Sequence, residues 1–205
     1  ADLPFLFPTR QATYQLLDGE AGNLLLQQLE PVGLIGVTFW ESGFKQFTAN
    51  RPIHRPDDFQ DLNIRVMKSP LIRDQYKAFG ANPIPIDFHR TYQALQDGVV
   101  DGQENPLVSI VNMKFHEVQS HVIVSNHAYL GYAFVFSKSI LEALPADLQI
   151  ILKTTARELT PWQREETVRR EKGFLDAIRA SGTTVTELTE AERLQFRTAS
   201  EGLIE

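Results

Sequence analysis

Asn105 lies forty positions beyond Arg65, inside the run DGQENP, and Arg65 itself sits in the strand-like run LNIRVMKSP. The guanidinium of Arg65 is a rigid fork of donors that matches a carboxylate bidentately. Asn105 carries both a donor and an acceptor, so it can orient a polar neighbour or bind an acidic ligand. Each residue also has an ordinary reading. An arginine closing a short apolar run usually sits at the surface or in a salt bridge. An asparagine before proline is usually a turn residue, because Pro106 confines it to extended geometry.

Other chemistry finds little support in the spacing. His116 and His121 are five positions apart, out of frame for a helical zinc pair. His54, His89 and His127 complete the set of five. The sequence contains no GxSxG elbow, no GxGxxG and no GxxxxGK[ST] phosphate loop. Asp97, Asp101 and Glu104 cluster around Gly98 and Gly102 and are capable of acid/base work. At a glycine-rich turn such acids more often cap helices and satisfy loop amides. Phe88 follows the extended PIPI segment, where it is either core or a hydrophobic wall beside a ligand. Cysteine is absent, which removes thiol catalysis, CxxC redox chemistry and thiolate zinc sites and fits an oxidising compartment. Spacing calls for no cofactor and no metal.

These side chains need a scaffold, and the composition provides one. Of 205 residues, 42% are hydrophobic and 22% charged, with 13 Phe, so a packed core is expected. The net charge is −6 with a pI near 5.4. A nucleic-acid binder would carry a basic stripe, which is missing; Arg169, Arg170 and Lys172 alternate with Glu165, Glu166 and Glu171 as on a solvated helix face. No apolar run approaches 18 residues, so a membrane-embedded protein is not expected. The chain opens ADLPFLF, without the basic region or cleavage site of a signal peptide.

Periodicity predicts a helix over 10–29, ended by Pro31 and Gly33. Two strands follow, 34–40 and 44–48, split at Ser42-Gly43. A strand over 62–67, a helix over 71–79 stopped by Gly80, an extended 83–86 and helices over 91–98 and 110–118 come next. Runs 122–124 and 132–136 read as strands buried on both faces. From 145 to 181 the pattern is helical, with Pro161 expected to kink or restart it. Gly182 closes that helix, 184–185 forms an edge strand, and 190–200 a last helix with a Thr189/Glu192 capping box. Short strands alternating with helices make this an α/β protein.

The run from 62 to 106 (LNIRVMKSP, FGANPIPIDF, TYQALQDGVVDGQENP) closely resembles the DctP-type solute-binding proteins of TRAP transporters. The similarity continues through PFLF at 4–7, FWESGFKQFT at 39–48, SNHAY at 125–129 and LPADLQ at 144–149, and so covers essentially the whole chain. The resemblance implies a two-lobed α/β periplasmic binding protein whose long C-terminal helix braces both lobes. It implies closure around a small organic acid, such as a C4-dicarboxylate, and delivery to TRAP membrane permease subunits. Within that pattern Arg65 takes the carboxylate-binding position, Asn105 the supporting polar position and Phe88 the aromatic wall. Lys45 stands where many relatives place a second basic residue, often Arg, and its point charge would hold a second carboxylate less directionally. His127 and Tyr129 are further contacts or, equally, satisfied interior groups.

By the same resemblance lobe I comprises 1–42 and 131–170, and lobe II comprises 43–130 and 171–205. Family members carry further βα units before PFLF, so lobe I is expected to be incomplete and lobe II nearly complete. The expected function is binding without catalysis, in the periplasm. Two alternatives stay open: a lyase or hydrolase using Asp101 and Glu104 with His89 or His127, and the ligand-sensing domain of a regulator, which would need a DNA-binding segment.

Overall fold

A computed structural model describes residues 3–203. Contacts divide the chain into two compact units. The first contains residues 3–6, Gly43–Leu130 and 170–203; the second contains Phe7–Ser42 and Gly131–Arg169. Residues 3–6 therefore group with 43–130 rather than with 7–42. Phe5 explains this: its amide donates to the His127 carbonyl at 2.7 Å, and its ring packs on the aromatic core of the first unit.

The sheet orders its strands β3-β2-β4-β1-β5-β6, with β1 Leu34–Ala49, β2 Asn63–Val66, β3 Asn82–Pro85, β4 Gly102–Pro106, β5 His121–Ser137 and β6 Thr184–Glu187. β2 runs parallel to β3 and β4, β1 antiparallel to β4, and β6 parallel to β5. The mixed sheet with its flanking helices is the expected α/β class, and β6 is the expected edge strand.

Two strand expectations need correction. The runs 34–40 and 44–48 form one strand, because Gly43 adopts φ 118° and carries the chain through the predicted break. Likewise 122–124 and 132–136 belong to a single 17-residue β5. Asn126 sits mid-strand at φ 48°, a conformation that asparagine tolerates better than most residues. Gln46 holds it there: Gln46 Nε2 donates to Asn126 Oδ1 (2.8 Å), and the Asn126 amide donates to Gln46 Oε1 (3.0 Å). Nor is the far end of β5 buried on both faces, since Tyr132 is 52% exposed. Its strand neighbours instead pack on one side, as Phe134 does against Trp40, 4.9 Å away.

In the first unit, one sheet face carries Phe47, Ile64 and Val66 and packs on Phe59, Tyr76, Phe79 and Phe196. Phe47–Phe59 and Phe79–Phe196 meet edge-on at 5.0 and 5.4 Å. Such ring pairs add roughly 0.5–1.5 kcal/mol each beyond burial. The other face covers Leu95, Leu107, Ile110, Phe115 and Val122. The helices begin where their caps dictate. Ser69 Oγ accepts from the Ile72 amide and Pro70 occupies the first turn of α3 (Pro70–Ala78). Thr189 and Glu192 form the predicted capping box of α8 (Glu190–Ser200). α4 (Thr91–Gln96) is shorter than predicted. α5 (Leu107–Asn112) starts directly after Pro106 and gives way at the left-handed Lys114 to a 3-10 turn, Phe115–Glu117, so 110–118 is not one helix.

In the second unit the predicted helix over 10–29 is two, α1 (Arg10–Asp18) and α2 (Glu20–Gln27). Gly19 turns extended between them, and Gly22 then lies so close to Leu17 that a Cβ would stand 1.8 Å from its carbonyl oxygen. After the short α6 (Lys138–Glu142), α7 runs unbroken over Ala146–Ala180 with Pro161 inside it, so the proline does not restart the helix. Its residues belong to both units. Against β1, α7 packs through polar groups rather than an apolar stripe. Thr160 meets Thr38 at 3.0 Å, and Gln163 brackets both backbone groups of Glu41. Arg164 grips Asp18 bidentately at 2.7 Å and donates to the Phe39 carbonyl. Among the described residues no helix is long and apolar enough to cross a membrane.

Candidate functional site

All six predicted site residues fall in the first unit, on neighbouring strands or the turns that follow them. Pairing fixes which share a face. Arg65 on β2 stands opposite Gln103 on β4, and Gln46 on β1 opposite Asn105. Side chains alternate along a strand, so Arg65, Gln103 and Asn105 share one face. Glu104 points to the other face, with Phe47 opposite it and Lys45 two positions along.

Arg65 is 3% exposed, and its Nε donates to the Ile86 carbonyl at 2.9 Å. Its guanidinium carbon lies 6.0 Å from the centroid of Phe88. Among the described residues, none accepts a hydrogen bond from its two terminal nitrogens. Burial pulls the guanidinium's pKa below its ordinary value, while the charges of Glu104 and Asp87 act in the other direction; a guanidinium remains cationic regardless. The result is a fixed, desolvated cation with its fork available.

Asn105 is oriented by a directional chain of hydrogen bonds. Gln119 Nε2 lies within reach of the Val118 and Asp101 carbonyls, which only accept, so its Oε1 must be an acceptor. Thr48 Oγ1 donates to that Oε1 (2.8 Å) and therefore accepts from Gln103 Nε2 (3.2 Å). Gln103 Oε1 then accepts from Asn105 Nδ2 at 2.6 Å. Among the described residues Asn105 makes no other side-chain hydrogen bond, which leaves one N–H and its Oδ1 for other partners. Sequence reasoning missed Gln103, Thr48 and Gln119: the first two offer only the signal of polar residues within strands β4 and β1, and Gln119, in the turn before β5, offers none.

On the opposite face Lys45, Glu104 and His127 form a buried cluster. Lys45 Nζ is 3.1 and 3.0 Å from the two Glu104 oxygens, with side chains only 2% exposed. His127 Nε2 stands 3.4 Å from Glu104 Oε2, its Nδ1 2.7 Å from Ser125 Oγ, and its ring stacks on Phe47 at 4.1 Å. Burial lowers the His127 pKa, with Glu104 opposing. A neutral ring then donates from Nε2 to Glu104 and accepts from Ser125 at Nδ1. Burial acts to raise the Glu104 pKa, but Lys45 and His127 outweigh it and hold the carboxyl below its ordinary value. Tyr129 is buried edge-on to Phe44, with ring centroids 5.5 Å apart.

The acids of the glycine-rich turn separate. Asp101 Oδ2 accepts from the Asn63 amide at 2.8 Å, the loop-satisfying role. Glu104 is a strand residue ion-paired to Lys45. His89 lies in the 3-10 turn Phe88–Arg90 beside the Phe88 ring. Gly102 gives β4 its closeness to β1: a Cβ there would stand 2.3 Å from the Thr48 carbonyl oxygen.

The sequence matches, over residues 1–205, the family described as DctP, bacterial extracellular solute-binding protein, family 7. It is 42% identical over 193 residues to the C4-dicarboxylate-binding periplasmic protein DctP of Rhodobacter capsulatus, covering 94% of this chain and 58% of that protein. The chain thus spans less than two thirds of that relative's length. The fold is similar to a TRAP periplasmic solute-binding protein from Sulfurospirillum deleyianum with bound succinate (TM-score 0.92, 36% identity, 98% of this chain and 67% of that one). It is similar also to one from Sulfitobacter sp. NAS-14.1 with bound β-D-galacturonate (TM-score 0.94, 30% identity, 98% and 67%). With its match running the length of the chain, this protein belongs to the DctP family of bacterial extracellular solute-binding proteins.

Proposed function

We propose that the chain forms the ligand-holding part of a periplasmic TRAP solute-binding protein, capturing a small organic acid by its carboxylate and serving membrane permease subunits. Arg65 binds the carboxylate, Phe88 walls it and Asn105 supports it with its remaining amide hydrogen. The observation that carries this reading is the state of Arg65: desolvated and held by Ile86, yet with its terminal nitrogens uncommitted among the described residues. A buried charge is ordinarily paired; one held ready beside an aromatic ring fits an anionic ligand. Two similar structures that carry succinate and galacturonate agree in chemistry, since both ligands are carboxylates.

The family is one of solute-binding proteins, and the acids an enzyme would use are occupied, Asp101 by a backbone amide and Glu104 by Lys45. A thermal-shift series with succinate, L-malate and galacturonate tests the proposal, because a ligand preferring the folded state raises its stability by mass action. Stabilisation without chemical change supports it; conversion of any of them to product rejects it.

A further inference from the structure

Lys45 occupies the position where the family resemblance suggests a hand on a second carboxylate, yet its ammonium is engaged from within. Nζ bridges both oxygens of Glu104, and both side chains are 2% exposed. Among the described residues its further hydrogen-bond contact is Met67 Sδ at 3.8 Å. Glu104 follows Gln103, the pairing partner of Arg65, along β4, so an uncompensated carboxylate there would sit one strand from the anion site. The charged and titratable groups around Glu104 are Lys45 from β1, His127 from β5, Arg65 from β2 and Tyr76 from α3.

We propose that Lys45 is a positioning residue that neutralises Glu104 beneath the site, so that Arg65 keeps its full attraction for a ligand carboxylate, and that Lys45 does not touch the ligand. This rests on the assignment of Arg65 to the carboxylate. It has a consequence for specificity: the first unit recognises one carboxylate, and a second acidic group on the ligand gains nothing from Lys45.

The test is calorimetric, with succinate and its monoamide succinamate as probes, on the 205-residue chain and its variants. Lys45→Met should weaken both probes by a similar factor, on the order of tenfold for an unscreened charge at this range, leaving their affinity ratio unchanged. Lys45→Met with Glu104→Gln removes the charge and the partner together and should recover most of the loss, and Glu104→Gln alone should weaken neither probe, whereas a merely structural pair is broken from either side. Selective loss of succinate in Lys45→Met, or no recovery in the double variant, overturns the proposal. If Lys45→Met alone fails to fold, the double variant decides: near-native affinity for both probes supports the proposal, and selective loss of succinate overturns it. Arg65→Ala separates the two claims. Unchanged binding there, or no binding of either probe by the unaltered chain, overturns the carboxylate reading and this inference with it.

Discussion

The Arg65 guanidinium lies over the Phe88 ring, 6.0 Å from its centroid, although 22 residues of intervening chain separate them. The parallel pairing of β2 with β3 makes this possible. Arg65 stands opposite Ile84, and the chain leaves β3 to reach Phe88 in the next turn, while Ile86 returns its carbonyl to Arg65 Nε. The ring therefore shields one face of the cation.

Phe88→Ala should weaken carboxylate binding by roughly threefold to tenfold, the size of a cation–π contact and its shielding. Phe88→Leu should recover part of this through apolar cover alone. Calorimetry with the best-binding acid reads both; equal affinities for the three proteins would remove Phe88 from the site.

Gly102→Ala should destabilise the first unit by about 1–3 kcal/mol, the usual cost of forcing extra volume into a packed place. The new Cβ would meet the Thr48 carbonyl oxygen at 2.3 Å, and β4 must shift away from β1, carrying Gln103 and Asn105 with it. Urea denaturation gives the stability and calorimetry the affinity. A native midpoint would show that β4 and β1 are less closely held than they stand here.

The pH dependence follows from the buried cluster. His127 has its pKa lowered, chiefly by burial. Below its ordinary value of 6.5 the unfolded chain takes up a proton that the folded chain declines. Its contribution is therefore complete above 6.5 and declines as the pH falls from there toward the folded value. Glu104 adds a second loss at lower pH. Burial alone would raise its pKa, but Lys45 and His127 depress it, so its contribution is present above 4.5 and disappears as the pH falls below. His127→Gln should flatten the urea midpoint between pH 7 and pH 5, a window set by the direction of that shift. A slope as steep as the wild type's would place the titrating group elsewhere.

The sequence revealed types of element better than their joints. The capping box at Thr189, the close of α3 and the edge strand β6 each have local signals and stand as read. Local signals do not carry the joints in β1 and β5: Gly43 reads as a break and 125–131 as a gap between two runs, whereas Gly43 and Asn126 each lie within a continuing strand. Asn126 is held by Gln46, eighty positions away, and no local pattern carries that. The site shows the same limit. Arg65, Phe88 and Asn105 were visible as chemistry, but the Lys45–Glu104 pair depends on β1 lying beside β4.

The central claim is that Arg65 is the ligand's carboxylate contact, and titration calorimetry of Arg65→Ala with the acid that most stabilises the unaltered chain tests it most directly. Loss of a charge-assisted contact worth about 1.5–3 kcal/mol predicts a fall in affinity of roughly tenfold to over a hundredfold. Arg65→Lys should recover only part, because an ammonium lacks the planar fork. The fold should survive, as among the described residues the guanidinium hydrogen-bonds to a single carbonyl. Binding by a folded Arg65→Ala chain with unchanged affinity would contradict the account.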